Sequence, residues 1–138
     1  MQFVAGGVHT SPEQTRATIA EYAAHGALHG YTFWGVEDRA TGALLGDAGL
    51  YELHGQGSEV EFGVTLRRSA WGAGIGTACA RLCCTIAFEQ HGLDHLIAVA
   101  QPANVGSARL LRSAGFIQDG SMFAYGELLD RFRIDRPR

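Results

Sequence analysis

Three glycines at alternate positions, Gly72, Gly74 and Gly76, separate a run of strand spacing from a run of helical spacing. Upstream, Val60, Phe62, Val64 and Leu66 recur at period two. Downstream, Ile75, Ala78, Cys79, Leu82, Ile86 and Phe88 recur at helical intervals, and the pattern predicts a helix from Ala73 to about His91. Glycines at a helix start let a ligand approach the backbone and leave N–H groups pointing at it. The helix dipole favours an anion there, and Arg67 and Arg68 lie just upstream. The chemistry offered is the holding of a phosphate or pyrophosphate. The spacing is G-x-G-x-G, and Thr77 stands where a dinucleotide fold wants its third glycine. A nucleotide P-loop needs a lysine, and this chain has none. A glycine turn that only packs a helix on a strand is the plainer alternative.

The other reactive side chains suggest less. Cys79, Cys83 and Cys84 all fall in the same expected helix, where neighbours cannot form a disulfide framework. They read as small core residues of a protein from the reducing cytoplasm. His91 falls in the last turn of that helix, with Gly92 suited to end it. His25, His29, His54 and His95 have no partner at motif spacing.

The elements that must position the loop follow from pattern. Ser11-Pro12-Glu13-Gln14 reads as a capped helix start, with the helix running to about His25 and stopping at Gly26. Tyr31–Glu37, Ala43–Leu53 and Ser58–Leu66 read as a meander of antiparallel strands, and Gly46 marks a bulge or close backbone approach. Asp94–Ala100 is a short strand expected to lie parallel to Ser58–Leu66, because a helix crosses between them. Asn104 caps a second crossing helix that closes at Gly115. Phe116–Tyr125 and Leu128–Ile134 form a hairpin around Gly126-Glu127.

At 138 residues the chain suits one domain, 1–138, with a real core. The formal net charge of −3 provides no basic field for nucleic acid. No apolar run is long enough for a membrane span, and no signal peptide is read.

Three stretches together resemble the acetyl-CoA site of the GNAT N-acetyltransferases. They are Glu61-Phe62-Gly63-Val64-Thr65-Leu66, Trp71-Gly72-Ala73-Gly74-Ile75-Gly76-Thr77, and Asn104-Val105-Gly106-Ser107-Ala108-Arg109-Leu110-Leu111 through Phe116. The similarity covers Tyr31 to Ile134 and is closest to the ribosomal-protein N-terminal acetyltransferases (RimJ/RimL type). It implies an α+β, three-layer fold: a mixed, mostly antiparallel twisted sheet, helices on both faces, and a splayed parallel strand pair. It implies acetyl-CoA as co-substrate, no metal, and an amine acceptor, either a protein N-terminus or a small molecule.

The resemblance also implies roles. Phe62, Val64 and Leu66 would meet the pantetheine through their backbone. The N–H groups of Ala73, Gly74, Ile75, Gly76 and Thr77 would take the pyrophosphate, with Arg67 or Arg68 beside it and Trp71-Gly72 shaping the loop. Asn104 and Ser107 would flank the thiol end. Glu61 is the expected base, with Glu59 behind it. Leu111 stands where many members carry a tyrosine acid, which leaves Ser107, or Tyr125 from the hairpin. The family opens with an extra strand and helix, so the N-terminal end reads as abbreviated. An uncovered Tyr31–Glu37 edge then invites a homodimer. A non-catalytic or degenerate CoA-binding module, and a purely structural interaction domain, are the rival readings.

Overall fold

A computed structural model describes residues 12–52 and 59–137. Helix α1 spans Pro12–His29, and strands β1 (Phe33–Glu37), β2 (Leu44–Glu52) and β3 (Val60–Leu66) follow it. Helix α2 (Ile75–Thr85) continues as a wider helical turn over Ile86–Gln90. Then come β4 (His95–Ala100), α3 (Val105–Ser113), β5 (Ile117–Ala124) and β6 (Glu127–Asp135). The strands form one sheet in the order β1-β2-β3-β4-β6-β5. The pairings are antiparallel, except that β3 runs parallel to β4. The expected mixed sheet with its parallel pair is therefore present.

Alternation gives the central strands two faces. Leu50, Phe62, Leu96, Ala98 and Phe132 point to the side where α2 and α3 bring Ala80, Cys83, Cys84 and Leu111, and this side is the hydrophobic core. Tyr51 and Glu61 stand opposite each other on the other face. There α1 makes contact: the His25 ring stacks on Tyr51 at 3.9 Å, and the Tyr51 hydroxyl donates to Glu21 at 2.8 Å.

Two boundaries differ from expectation for physical reasons. Helix α1 runs through Gly26 and stops at Gly30, whose φ of 81° leaves the helix left-handed. Gly26 serves packing instead, since a Cβ there would press on the Thr32 methyl. The hairpin turns on Tyr125-Gly126 rather than Gly126-Glu127, because Ala124 pairs with Glu127. The expected Ser11 cap, any strand in Gln2–Val8, and the ends at Leu53 and Ser58 lie outside the described residues.

The Gly46 expectation holds in both senses. The β1–β2 register slips beside it, between Val36↔Gly46 and Glu37↔Leu44. Its φ is 153°, and a Cβ there would overlap the backbone carbonyl of Thr65 on β3. Gly46→Ala is therefore expected to cost roughly 2–3 kcal/mol, because backbone rather than a flexible side chain must yield. Urea unfolding would show it as an earlier midpoint; an unchanged midpoint would contradict the close approach.

Candidate functional site

A cavity of about 610 Å³ opens between the end of β3, the glycine loop and the start of α3. Val64, Thr65 and Leu66 form one wall, and Asn104, Ser107 and Leu110 the facing one. The floor is the start of α2. Gly74 caps that helix with φ 78°, no side chain closes the cap, and the first turn has no acidic residue. Ala78 N–H donates to Gly74 C=O at 3.0 Å, so the helical ladder begins there and the preceding N–H groups are left for a ligand. A Cβ at Gly72 or Gly74 would meet open space, whereas one at Gly76 would overlap Leu110. The loop glycines thus divide their work: two keep the mouth open, and Gly76 seats α3 on α2. Trp71 ties the loop to the strand by donating its indole N–H to the Leu66 carbonyl at 2.9 Å.

At the facing helix, Asn104 is the N-cap, its side chain accepting from Ser107 N–H at 3.0 Å. Both line the cavity. The helix closes as its sequence indicates: Phe116 N–H returns to Leu111 C=O, and Gly115 takes φ 106°.

The buried carboxylate Glu61 lies where β3 and β4 part. Their register is confined to Glu61↔Ile97, so beyond Glu61 the two parallel strands diverge. Glu61 is only 5% exposed, on the face opposite Phe62. Burial pushes its pKa up to about 7, against the opposing effect of a hydrogen bond donated by the Tyr125 hydroxyl. Glu59, one pleat away, is driven the other way. Arg131 donates two hydrogen bonds of 2.8 Å to it, His95 lies 3.1 Å from it, and its pKa falls to about 2. Two carboxylates two residues apart at the start of β3 are thus poised oppositely, one near neutrality and one fixed as an anion. Glu59, the expected reserve base, is locked in an ion-pair network.

Sequence-expected site residues separate into groups. Val64, Leu66, Trp71, Gly72, Gly74, Ile75, Gly76, Thr77, Asn104 and Ser107 line the cavity. Ala73 does not line it, and α2 starts at Ile75, two residues later than the pattern suggested. Phe62 belongs to the core, its ring 6.0 Å from that of Phe116. Arg67 and Arg68 are exposed outside the lining, and Arg68 lies over the Trp71 ring at 5.4 Å. The lining cation is instead Arg109, two residues past Ser107 on α3. A helix running on from Asn104 carries that signal, since Arg109 lies between the wall residues Ser107 and Leu110. Tyr125 joins Glu61 rather than the cavity.

A second cluster lies where α1 meets β2. His25, His29 and Glu52 bring potential ligand atoms within 4.8 Å of one another. Backbone already uses both His25 nitrogens: Nδ1 donates to Tyr31 C=O at 2.9 Å, and Nε2 accepts from Glu52 N–H at 3.0 Å. Burial lowers the His25 pKa, consistent with a neutral ring. His29 Nε2 sits 3.2 Å from Glu52. The cluster clamps the helix to the sheet.

Comparison with known proteins agrees with this geometry. The family model for the acetyltransferase (GNAT) domain matches residues 1–117. The uncharacterized protein YkkB of Bacillus subtilis (strain 168) is 30% identical over 88 residues, covering 63% of this chain and 51% of its own length. The chain thus spans about half the length of that curated relative. The ribosomal-protein-S5-alanine acetyltransferase of Vibrio fischeri superposes with a TM-score of 0.75 at 17% identity, over 91% of this chain and 73% of that one. An aminoglycoside acetyltransferase, AAC(6')-Ib, in complex with coenzyme A and kanamycin superposes with a TM-score of 0.67 at 20% identity, over 80% and 70%. The family match covers both the diverging strands and the uncapped glycine loop, and the chain belongs to the GNAT acetyltransferase family.

Proposed function

We propose that the chain is an acetyl-CoA-dependent N-acetyltransferase acting on a primary amine by direct attack. The observation that carries this is Glu61: a buried carboxylate with a pKa of about 7, at the point where β3 and β4 part. A base is most useful when its pKa lies near the working pH. Acetyl-CoA supplies the acetyl group as a thioester. The residues present fit it: the N–H groups at the start of α2 and Arg109 suit its phosphates, and the Val64–Leu66 wall faced by Asn104 and Ser107 suits its pantetheine arm.

Glu61 takes a proton from the incoming amine, so that nitrogen attacks with a free lone pair. Ser107, which lines the cavity, would hydrogen-bond the departing thiolate, which takes its proton from solvent. Among the compared structures are a ribosomal-protein alanine acetyltransferase and an aminoglycoside acetyltransferase. Both support an amine acceptor, as a protein N-terminus or a small molecule. The three cysteines are free and support a reducing compartment, which we take to be the cytoplasm.

Thermal melting with acetyl-CoA, free CoA and ATP tests the reading. A ligand at 100 times its Kd adds about 2.7 kcal/mol, a shift of several degrees for a domain of this size. A shift with acetyl-CoA and CoA but not ATP, followed by turnover of an amine, is the expected result. A shift without turnover of any amine would make the chain a CoA-binding module. Absence of a shift would reduce the glycine loop to packing.

A further inference from the structure

The β5–β6 hairpin breaks a local rule at one position. Its two-residue turn places both central residues at positive φ, 54° for Tyr125 and 78° for Gly126. A turn with that geometry favours Asn-Gly or Asp-Gly, since a bulky residue at positive φ is strained. Tyr125 is the one non-glycine residue at positive φ among the described residues. Strain of this kind persists where the surrounding structure has another use for the side chain. Here the use is visible: the turn carries the Tyr125 hydroxyl across to the buried Glu61 carboxylate, 64 residues away in the chain.

We propose that Tyr125 is a positioning residue for Glu61: the strained turn exists to deliver its hydroxyl, which holds the buried carboxylate in place. The proposal rests on the reading of Glu61 as the base. The elements around Glu61 leave this task to Tyr125. On β2, Tyr51 stands across from Glu61 and gives its hydroxyl to Glu21 of α1. Just before β3, and on β4 and β6, Glu59, His95 and Arg131 are bound to one another. Ile97, the β4 partner, carries no charge. A hydroxyl donated to a carboxylate stabilises the anion, so its removal must raise the pH of ionisation.

The test uses two variants of the whole chain, Tyr125→Phe and Tyr125→Asn. The Glu61 carboxyl is titrated by carbon-13 NMR without substrate, its signal assigned by its loss in Glu61→Gln. Both variants should ionise at a pH higher by about one unit, the size expected for one hydrogen bond to a charged group. At pH 7 the ionised fraction, and with it kcat/KM, then falls about five-fold, and the ascending limb of the pH profile follows the NMR midpoint. Tyr125→Asn restores a favoured Asn-Gly turn and should melt no lower than the parent, by expectation a few degrees higher. Tyr125→Phe keeps the strain without the hydroxyl. An unchanged Glu61 midpoint in either folded variant overturns the positioning role. A lower melting temperature for Tyr125→Asn overturns the argument from turn strain. Absence of turnover by the parent protein would remove the acetyltransferase reading, while the titration would still decide whether Tyr125 sets the ionisation of Glu61.

Discussion

Glu61→Gln should lower kcat by about 10²–10⁴-fold, the range for loss of a positioned general base, while acetyl-CoA binds as before. Glutamine keeps the size of the side chain, and the cavity wall at Val64–Leu66 is formed by the next pleats of β3, so the cofactor cleft is untouched. The same variant should be more stable than the parent at alkaline pH. Glu61 ionises near 4.5 in the unfolded chain but near 7 when folded, because folding strips water from it. Its contribution to stability is therefore complete below pH 4.5, is lost as pH rises through 7, and is level above that. The two and a half units between those values correspond to about 3 kcal/mol. Glutamine has no proton to lose, so Glu61→Gln should gain about 3 kcal/mol on the parent at pH 8 but under about 1 kcal/mol at pH 5. Urea unfolding of both proteins at the two pH values, beside steady-state turnover, checks both halves. Equal turnover would remove Glu61 as the base; equal stability at pH 8 would mean that the carboxylate is not desolvated as the fold indicates.

Phe132→Ala carries the largest expected loss of stability. Phe132 is fully buried in the middle of β6, paired with Ala98 of β4 and Gln118 of β5. The Arg112 guanidinium of α3 lies 5.6 Å from its ring. Three strands and a helix thus share this one ring. Removing it forfeits its burial and leaves a cavity that strands paired on both sides cannot close, at about 3–5 kcal/mol. For a domain with a total of about 5–15 kcal/mol, that is a loss of roughly 15 °C in Tm. A fall of under 5 °C would show that the core repacks easily around the gap.

The sequence speaks clearly where local spacing governs. Period two placed Glu61 on the face opposite Phe62, and the structure agrees. Asn104 and Gly115 marked the ends of α3 through capping chemistry that needs no distant partner. The glycine loop was legible for the same reason. What escaped depends on contacts between remote residues. Glu59 and Glu61 share a strand face in sequence, and it takes Arg131, 72 residues on, together with His95 to fix Glu59 as an anion. Gly26 reads as a helix stop until Thr32 folds back against it. Tyr125 reads as the last residue of a strand, since nothing nearby shows that a tyrosine will occupy a left-handed turn. Arg67 and Arg68 were the nearest cations in sequence, but the strand carries them off the cleft, and Arg109 reaches it by α3.

The sparse register between β3 and β4 has a mechanical meaning. A sheet is a fabric sewn by its ladders, and this one has a single stitch, Glu61↔Ile97, between β1-β2-β3 on one side and β4-β6-β5 on the other. Past it the ladder ends, and the cavity lies beyond, between the end of β3, the glycine loop and the start of α3. An extended molecule laid along Val64–Leu66 would act as a seventh strand there, offering amides to the edge that β4 abandons. The protein leaves one row of its own sheet unfinished, with the buried Glu61 carboxylate at the last stitch.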